Sequence, residues 1–127
     1  MAKKQNILLA TPRTAGLSSF MQALGQDPAV TLIQVNSAAE AVAAARRISL
    51  FLAVIDPQID GDNGLALIRQ LMQINAFIHT AVLTDMEEEE FHELGEGLGI
   101  MMRLPLTPNG EDAGELLSRL RDMMPDR

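Results

Sequence analysis

The sequence predicts an α/β domain in which a doubly wound parallel sheet of five strands is covered by helices on both faces. Three observations carry this expectation. Short, nearly unbroken apolar runs recur five times along the chain, an amphipathic stretch of helical period follows each of them, and no linker, repeat or low-complexity segment interrupts the alternation. Strands buried on both faces show continuous apolar runs, and parallel neighbours need crossover helices, which then cover those faces. Residues 1–127 therefore form a single expected domain, of a length that buries roughly two-thirds of its unfolded surface.

Asn6–Ala10 is the first strand, closed by Thr11-Pro12. Leu17, Phe20, Met21 and Leu24 then recur at helical spacing between Thr14 and Gly25, and Gly25 is placed to end that helix at positive φ. Val30–Val35 is the second strand, and Ser37-Ala-Ala-Glu40 is a capping box opening an alanine-rich helix that runs to Ile48. Leu50–Ile55 is the third strand, followed by a helix whose core face is Leu65, Ile68, Leu71 and Met72. Thr80–Thr84 is the fourth, after which Asp85 caps a helix with Glu88 as its reciprocal partner. That helix should be short and mobile, because Gly95, Gly97 and Gly99 follow it closely. Ile100–Arg103 is the fifth strand, and Leu116, Leu117, Leu120, Met123 and Met124 line the last helix.

Composition excludes several functions. Without cysteine there are no disulfides, thiolate metal sites or cysteine nucleophiles, and a reducing cytoplasmic setting is the natural expectation. The apolar run Ile7–Ala10 is too short to span a membrane. A net charge of −7, with four Phe and neither Tyr nor Trp, disfavours nucleic acid. His79 and His92 have no metal-ligand spacing, and Ser18 and Ser19 lack a partnering base. Thr11–Gly16 has no phosphate-loop glycine pattern, and Glu87–Glu90 suits the first turn of a solvated helix. The methionines suit an adaptable core.

In a doubly wound sheet, chemistry gathers at the carboxyl ends of the strands, here the loops beginning at Thr11, Asp56, Thr84 and Leu104. A chain of five βα units in which Asp56 ends the third strand, Gly64 opens a helix eight residues later, Thr84 ends the fourth strand and Leu104-Pro105-Leu106 follows the fifth resembles the response-regulator receiver domain of two-component signalling. The resemblance spans essentially the whole chain. It implies a flavodoxin-like sheet of order 2-1-3-4-5, Asp56 as candidate phosphoacceptor and Thr84 as switch hydroxyl. It also implies a cis Leu104-Pro105 bond and a partner surface on the side of the fourth helix, fifth strand and last helix.

Receivers support phosphoryl transfer with an acidic pair after the first strand that helps hold Mg²⁺, and with a lysine after the fifth. Here Thr11 and Pro12 stand at the acidic pair, Leu104 and Pro105 at the Lys-Pro step, and Met101 at an aromatic switch position. Arg103, next to Leu104, starts on the opposite face of its strand. Asp60 and Asp62 have the character of turn residues, and Pro57 removes a backbone donor just past Asp56. No cofactor is expected; Mg²⁺ has Asp56 and Gln58 as candidate ligands, the alternative to the turn reading being that Asp60 and Asp62 lean toward a cation beside Asp56. The expectation is thus an atypical, non-enzymatic receiver that acts in phosphorelay-type signal transduction mainly through protein–protein interaction, with aspartyl phosphorylation impaired or absent. Asp56 then serves as a loop residue bonded to nearby backbone or to Thr84. Its partner would be a separate protein, a fused output domain or a second copy, docked through Met101, Met102 or Leu106. The alternatives are a working phosphoacceptor at Asp56, and a small nucleotide- or ligand-binding α/β domain or enzyme that uses the Thr11 and Thr84 loops.

Overall fold

Each of the five apolar runs forms a strand, and each strand is followed by a helix. The structure, a computed structural model, describes residues 5–59 and 64–123. The order is β1 (Gln5–Ala10), α1 (Ser18–Gln26), β2 (Val30–Val35), α2 (Ala38–Arg47), β3 (Leu52–Ile55), α3 (Leu65–Ile74), β4 (His79–Leu83), α4 (Glu88–Leu94), β5 (Ile100–Leu104) and α5 (Gly110–Met123). Single 3₁₀ turns at Ala15–Leu17 and Pro57–Ile59 lead out of β1 and β3. The sheet has the order β2-β1-β3-β4-β5, and each neighbouring pair is parallel.

Alternation along the strands divides the core into two layers. Ile7, Leu9, Val54, Leu83 and Leu104 pack with Phe20 and Leu24 of α1 and Leu116 and Leu120 of α5. Leu8, Ala53, Ile55 and Val82 face Ala41 and Ala44 of α2 and Ile68 and Leu71 of α3. Each large side chain withdrawn in this way contributes about 1.5–3 kcal/mol, so the two layers, rather than any cap or ion pair, supply most of the driving force.

Local chemistry sets the helix ends. Ser37 Oγ accepts from the Glu40 N–H, while the Glu40 carboxylate reaches the Asn36 N–H, one residue earlier than a standard box. Asn109 and Asp112 form a second reciprocal box at the start of α5, each side chain accepting from the other's backbone N–H. Gly64 precedes α3 at φ 80°, and a Cβ there would collide with Ile55 Cγ2; only glycine satisfies both demands.

Several expectations are corrected. Gly25 lies inside α1, which ends at Gln26 without a left-handed residue; Asp27 is extended and accepts from the Ala29 N–H instead. Asp85 does not cap α4. Thr84 Oγ1 accepts from the Met86 N–H, so the chain turns first, and the helix begins at Glu88 behind an extended Glu87. The helix is short, with Gly97 and Gly99 at positive φ beyond it. Met123 is 51 % exposed rather than part of the core face. The Leu104-Pro105 bond is trans, the ordinary preference of X-Pro bonds. The placement of β5 holds regardless, since Leu104 pairs with Leu83 and is buried. The β4–β5 register jumps from Thr80↔Ile100 to Ala81↔Met102, which leaves Met101 as the extra residue of a bulge. Met124, Asp60 and Asp62 lie outside the described residues.

Candidate functional site

The pairing of β1 brings two loop residues side by side. The Thr11 N–H donates to Val35 O, and the Asp56 N–H donates to Ala10 O at 2.9 Å. Each ladder thus runs one residue past its strand, fixing Thr11 and Asp56 at the carboxyl edge of adjacent strands. Both are fully buried. A carboxylate without access to water requires hydrogen bonds and a counter-charge, and the structure supplies both.

Asp56 Oδ1 accepts from the Gln58 N–H at 2.9 Å. Pro57 has no N–H, so the next residue in the turn is the donor. Asp56 Oδ2 accepts from Thr11 Oγ1 at 2.7 Å and lies 2.7 Å from Arg13 Nε. The Nε–H is not aimed at the oxygen, so that contact is an ion pair rather than a hydrogen bond. Thr11 holds the arginine in place as well: its Oγ1 accepts from the Arg13 N–H at 3.1 Å. Beyond Asp56, Arg13 Nη2 donates to Leu106 O at 2.5 Å. One guanidinium thus spans the carboxyl edge from the loop after β1, over Asp56, to the loop after β5.

The other expected positions gather less closely. Thr84 is buried at the end of β4, with its N–H donating to Leu104 O and its hydroxyl accepting from the Met86 N–H. The expected bonding of Asp56 to nearby backbone holds through Gln58; its hydroxyl partner is Thr11 rather than Thr84. Leu104 belongs to the apolar layer beneath α1 and α5 and offers no charge. Arg103 turns away, donating to Met86 O at 3.1 Å and approaching Glu88 at 3.9 Å on the surface. Pro12 is exposed and Pro105 follows the strand end.

Arg13 is the residue that sequence reasoning missed. It stands in Thr11–Gly16, three positions after the strand, and this was the available signal: a cation on the loop beside a strand-end carboxylate. The same contact leaves that loop no free cation for a phosphate group, because the guanidinium is already committed to Asp56.

The described residues around Asp56 do not fit Mg²⁺. Among the described residues no three acidic or histidine side chains cluster as metal ligands. Asp56 stands beside a threonine and a fixed positive charge, and the Gln58 group directed at it is an N–H donor. A hard divalent cation wants several oxygen ligands and no adjacent cation.

Comparison of the fold with solved structures is decisive for architecture. CheY4 of Vibrio cholerae, a chemotaxis response regulator, superimposes with a TM-score of 0.79 at 18 % identity, over 93 % of this chain and 99 % of that one. The chain has a receiver-domain fold. The receiver domain of HemR from Leptospira biflexa matches with a TM-score of 0.81 at 19 % identity, covering 98 % of this chain and 99 % of that one. The isolated RcsB receiver of Salmonella enterica serovar Typhimurium, solved with the phosphomimetic BeF₃⁻, gives 0.79 at 16 % identity over 98 % and 93 %. No protein-family profile matches the sequence, and neither does any curated protein. In this receiver fold Asp56 occupies the end of β3 beside a β1 loop that carries Thr11 and Arg13.

Proposed function

We propose that this chain is an atypical response-regulator receiver in phosphorelay-type signal transduction, that it is not an enzyme, and that it works by docking a protein partner or fused output domain without aspartyl phosphorylation. The observation that carries the proposal is the state of Asp56: fully buried, with both oxygens engaged and its charge matched by Arg13. An acceptor carboxylate needs an exposed oxygen and a metal to offset the incoming charge. Here the oxygens are covered, and no ligand set for the metal occurs among the described residues.

The docking side of the proposal rests on α4, β5 and α5. β5 is an edge strand with a bulge at Met101, and Met101, Met102 and Leu106 are only partly buried. A bulged edge with adaptable methionines is suited to a partner surface, including a second copy of this chain. A fused output domain is compatible with the match to a longer Salmonella typhimurium RcsB response regulator, which takes in 98 % of this chain and 64 % of that one.

Amide spectra of the domain with and without a small-molecule phosphodonor and Mg²⁺ test this function. Unchanged resonances in α4, β5 and α5 support docking without a phosphoryl switch. Donor-dependent shifts on that face that vanish in Asp56→Asn refute it.

A further inference from the structure

We infer that Arg13 is a tethered counter-cation that occupies the place a divalent ion would take at Asp56, making the pocket blind to metal and fastening the loop after β5 in a single conformation. The first part rests on charge and reach. Asp56 is fully buried, and the 27 % exposed side chain of Arg13 brings Nε to 2.7 Å from Oδ2. The cation comes from the loop after β1, next to Thr11, which bonds the same oxygen. A guanidinium is always protonated and is attached to the chain, so the site never waits for a ligand from solution.

The second part rests on Leu106. The far end of the same guanidinium donates to Leu106 O, and Leu106 follows Pro105 in the segment that leads into α5. A bound metal ion would leave no such bond between the β1 and β5 loops. Arg13 therefore does two things at once: it balances the carboxylate and ties it to the segment that precedes the proposed docking helix. This inference concerns the same pocket as the proposed function, yet it stands or falls on metal binding and on exchange at Leu106, not on phosphorylation.

The test uses Mn²⁺ as the probe, read by water-proton relaxation and by the shift in melting temperature. Wild type, Arg13→Lys, Arg13→Gln, Arg13→Ala, Asp56→Asn and the Arg13→Ala/Asp56→Asn double variant are compared, with circular dichroism confirming the fold of each. Wild type and Arg13→Lys should show no saturable Mn²⁺ response that depends on Asp56. Arg13→Ala, or Arg13→Gln should the alanine variant unfold, leaves the carboxylate without a cation. It should gain a saturable response, abolished in the double variant, and hydrogen exchange should rise at Leu106 and its neighbours. An Asp56-dependent Mn²⁺ response in wild type overturns the inference, as does a folded Arg13→Ala or Arg13→Gln variant with Asp56 intact that stays blind to Mn²⁺. A phosphorylated but Mn²⁺-blind wild type defeats the proposed function alone, and an unphosphorylated but Mn²⁺-binding one defeats this inference alone.

Discussion

Arg13 Nε lies 2.7 Å from Oδ2 of Asp56, and the carboxylate it meets has no exposure to solvent. The two members of this pair are unequal, because Asp56 is sealed while Arg13 keeps 27 % of its side chain in contact with water. Removing the arginine leaves a buried charge with no partner, whereas neutralising the aspartate leaves a cation that can turn toward solvent. Breaking a fully buried pair costs about 3–5 kcal/mol; the partial exposure of Arg13 lowers the expected cost of Arg13→Ala to about 2–4 kcal/mol. Asp56→Asn, which keeps acceptors and donors for Thr11 and Gln58, should cost about 1 kcal/mol. Urea denaturation of both single variants and the double checks the order and yields the coupling energy. Equal costs, or additivity in the double variant, would contradict an ion pair at this site.

Gly64 makes a separate claim on stability. Its φ of 80° and the collision of a Cβ with Ile55 Cγ2 act together. The left-handed conformation costs a non-glycine residue about 1–2 kcal/mol, and crowding in a packed layer adds about 1–3 kcal/mol. Gly64→Ala should therefore lose about 2–5 kcal/mol in chemical denaturation, with an unchanged dependence on denaturant. A loss under about 0.5 kcal/mol, typical of a neutral surface change, would mean that the turn before α3 is not built this way.

Asp27 gives the pH dependence a sign. The Ala29 N–H and the Arg121 guanidinium, which also contacts Gln5, hold its carboxyl below the usual 3.8. Because the folded-state pKa is depressed, the carboxylate's contribution is fully present above the unfolded value and is lost as the pH falls through the folded one. The melting temperature of wild type should exceed that of Asp27→Asn at neutral pH, and the gap should close on acidification below about pH 4. The gap should be small, since the pair is solvent-accessible. A gap that widens in acid would reverse the assigned sign.

The three central strands β1, β3 and β4 were legible because burial on both faces leaves an unbroken apolar run, a pattern that needs no knowledge of partners, and the partly buried edge strands β2 and β5 were legible from the shorter apolar runs they keep. The Ser37–Glu40 box was legible for a similar reason, since its parts are local; the Asn109–Asp112 box is equally local and was overlooked. The end of α1 and the start of α4 were not, because Asp27 and Thr84 divert the chain through side-chain bonds that compete with helix signals. The pocket was half legible. Asp56 and Thr84 follow from their strand ends, but the Arg13–Asp56 pair joins two loops far apart in sequence and leaves no periodic trace. Nor does the bulge at Met101, which depends on how β5 meets its neighbour.

The measurement that bears most directly on the account is intact mass after incubation of the wild-type domain with a small-molecule phosphodonor and Mg²⁺, beside an Asp56→Asn control. Arg13 and Thr11 cover Oδ2, the Gln58 N–H engages Oδ1, and Leu104 presents no cation to an incoming phosphoryl group. Loss of one charge-assisted contact alone removes about 1.5–3 kcal/mol, roughly a ten- to hundredfold penalty. The account predicts the same unmodified mass for both proteins; a stoichiometric phosphoryl adduct on the wild type that is absent from Asp56→Asn would contradict it.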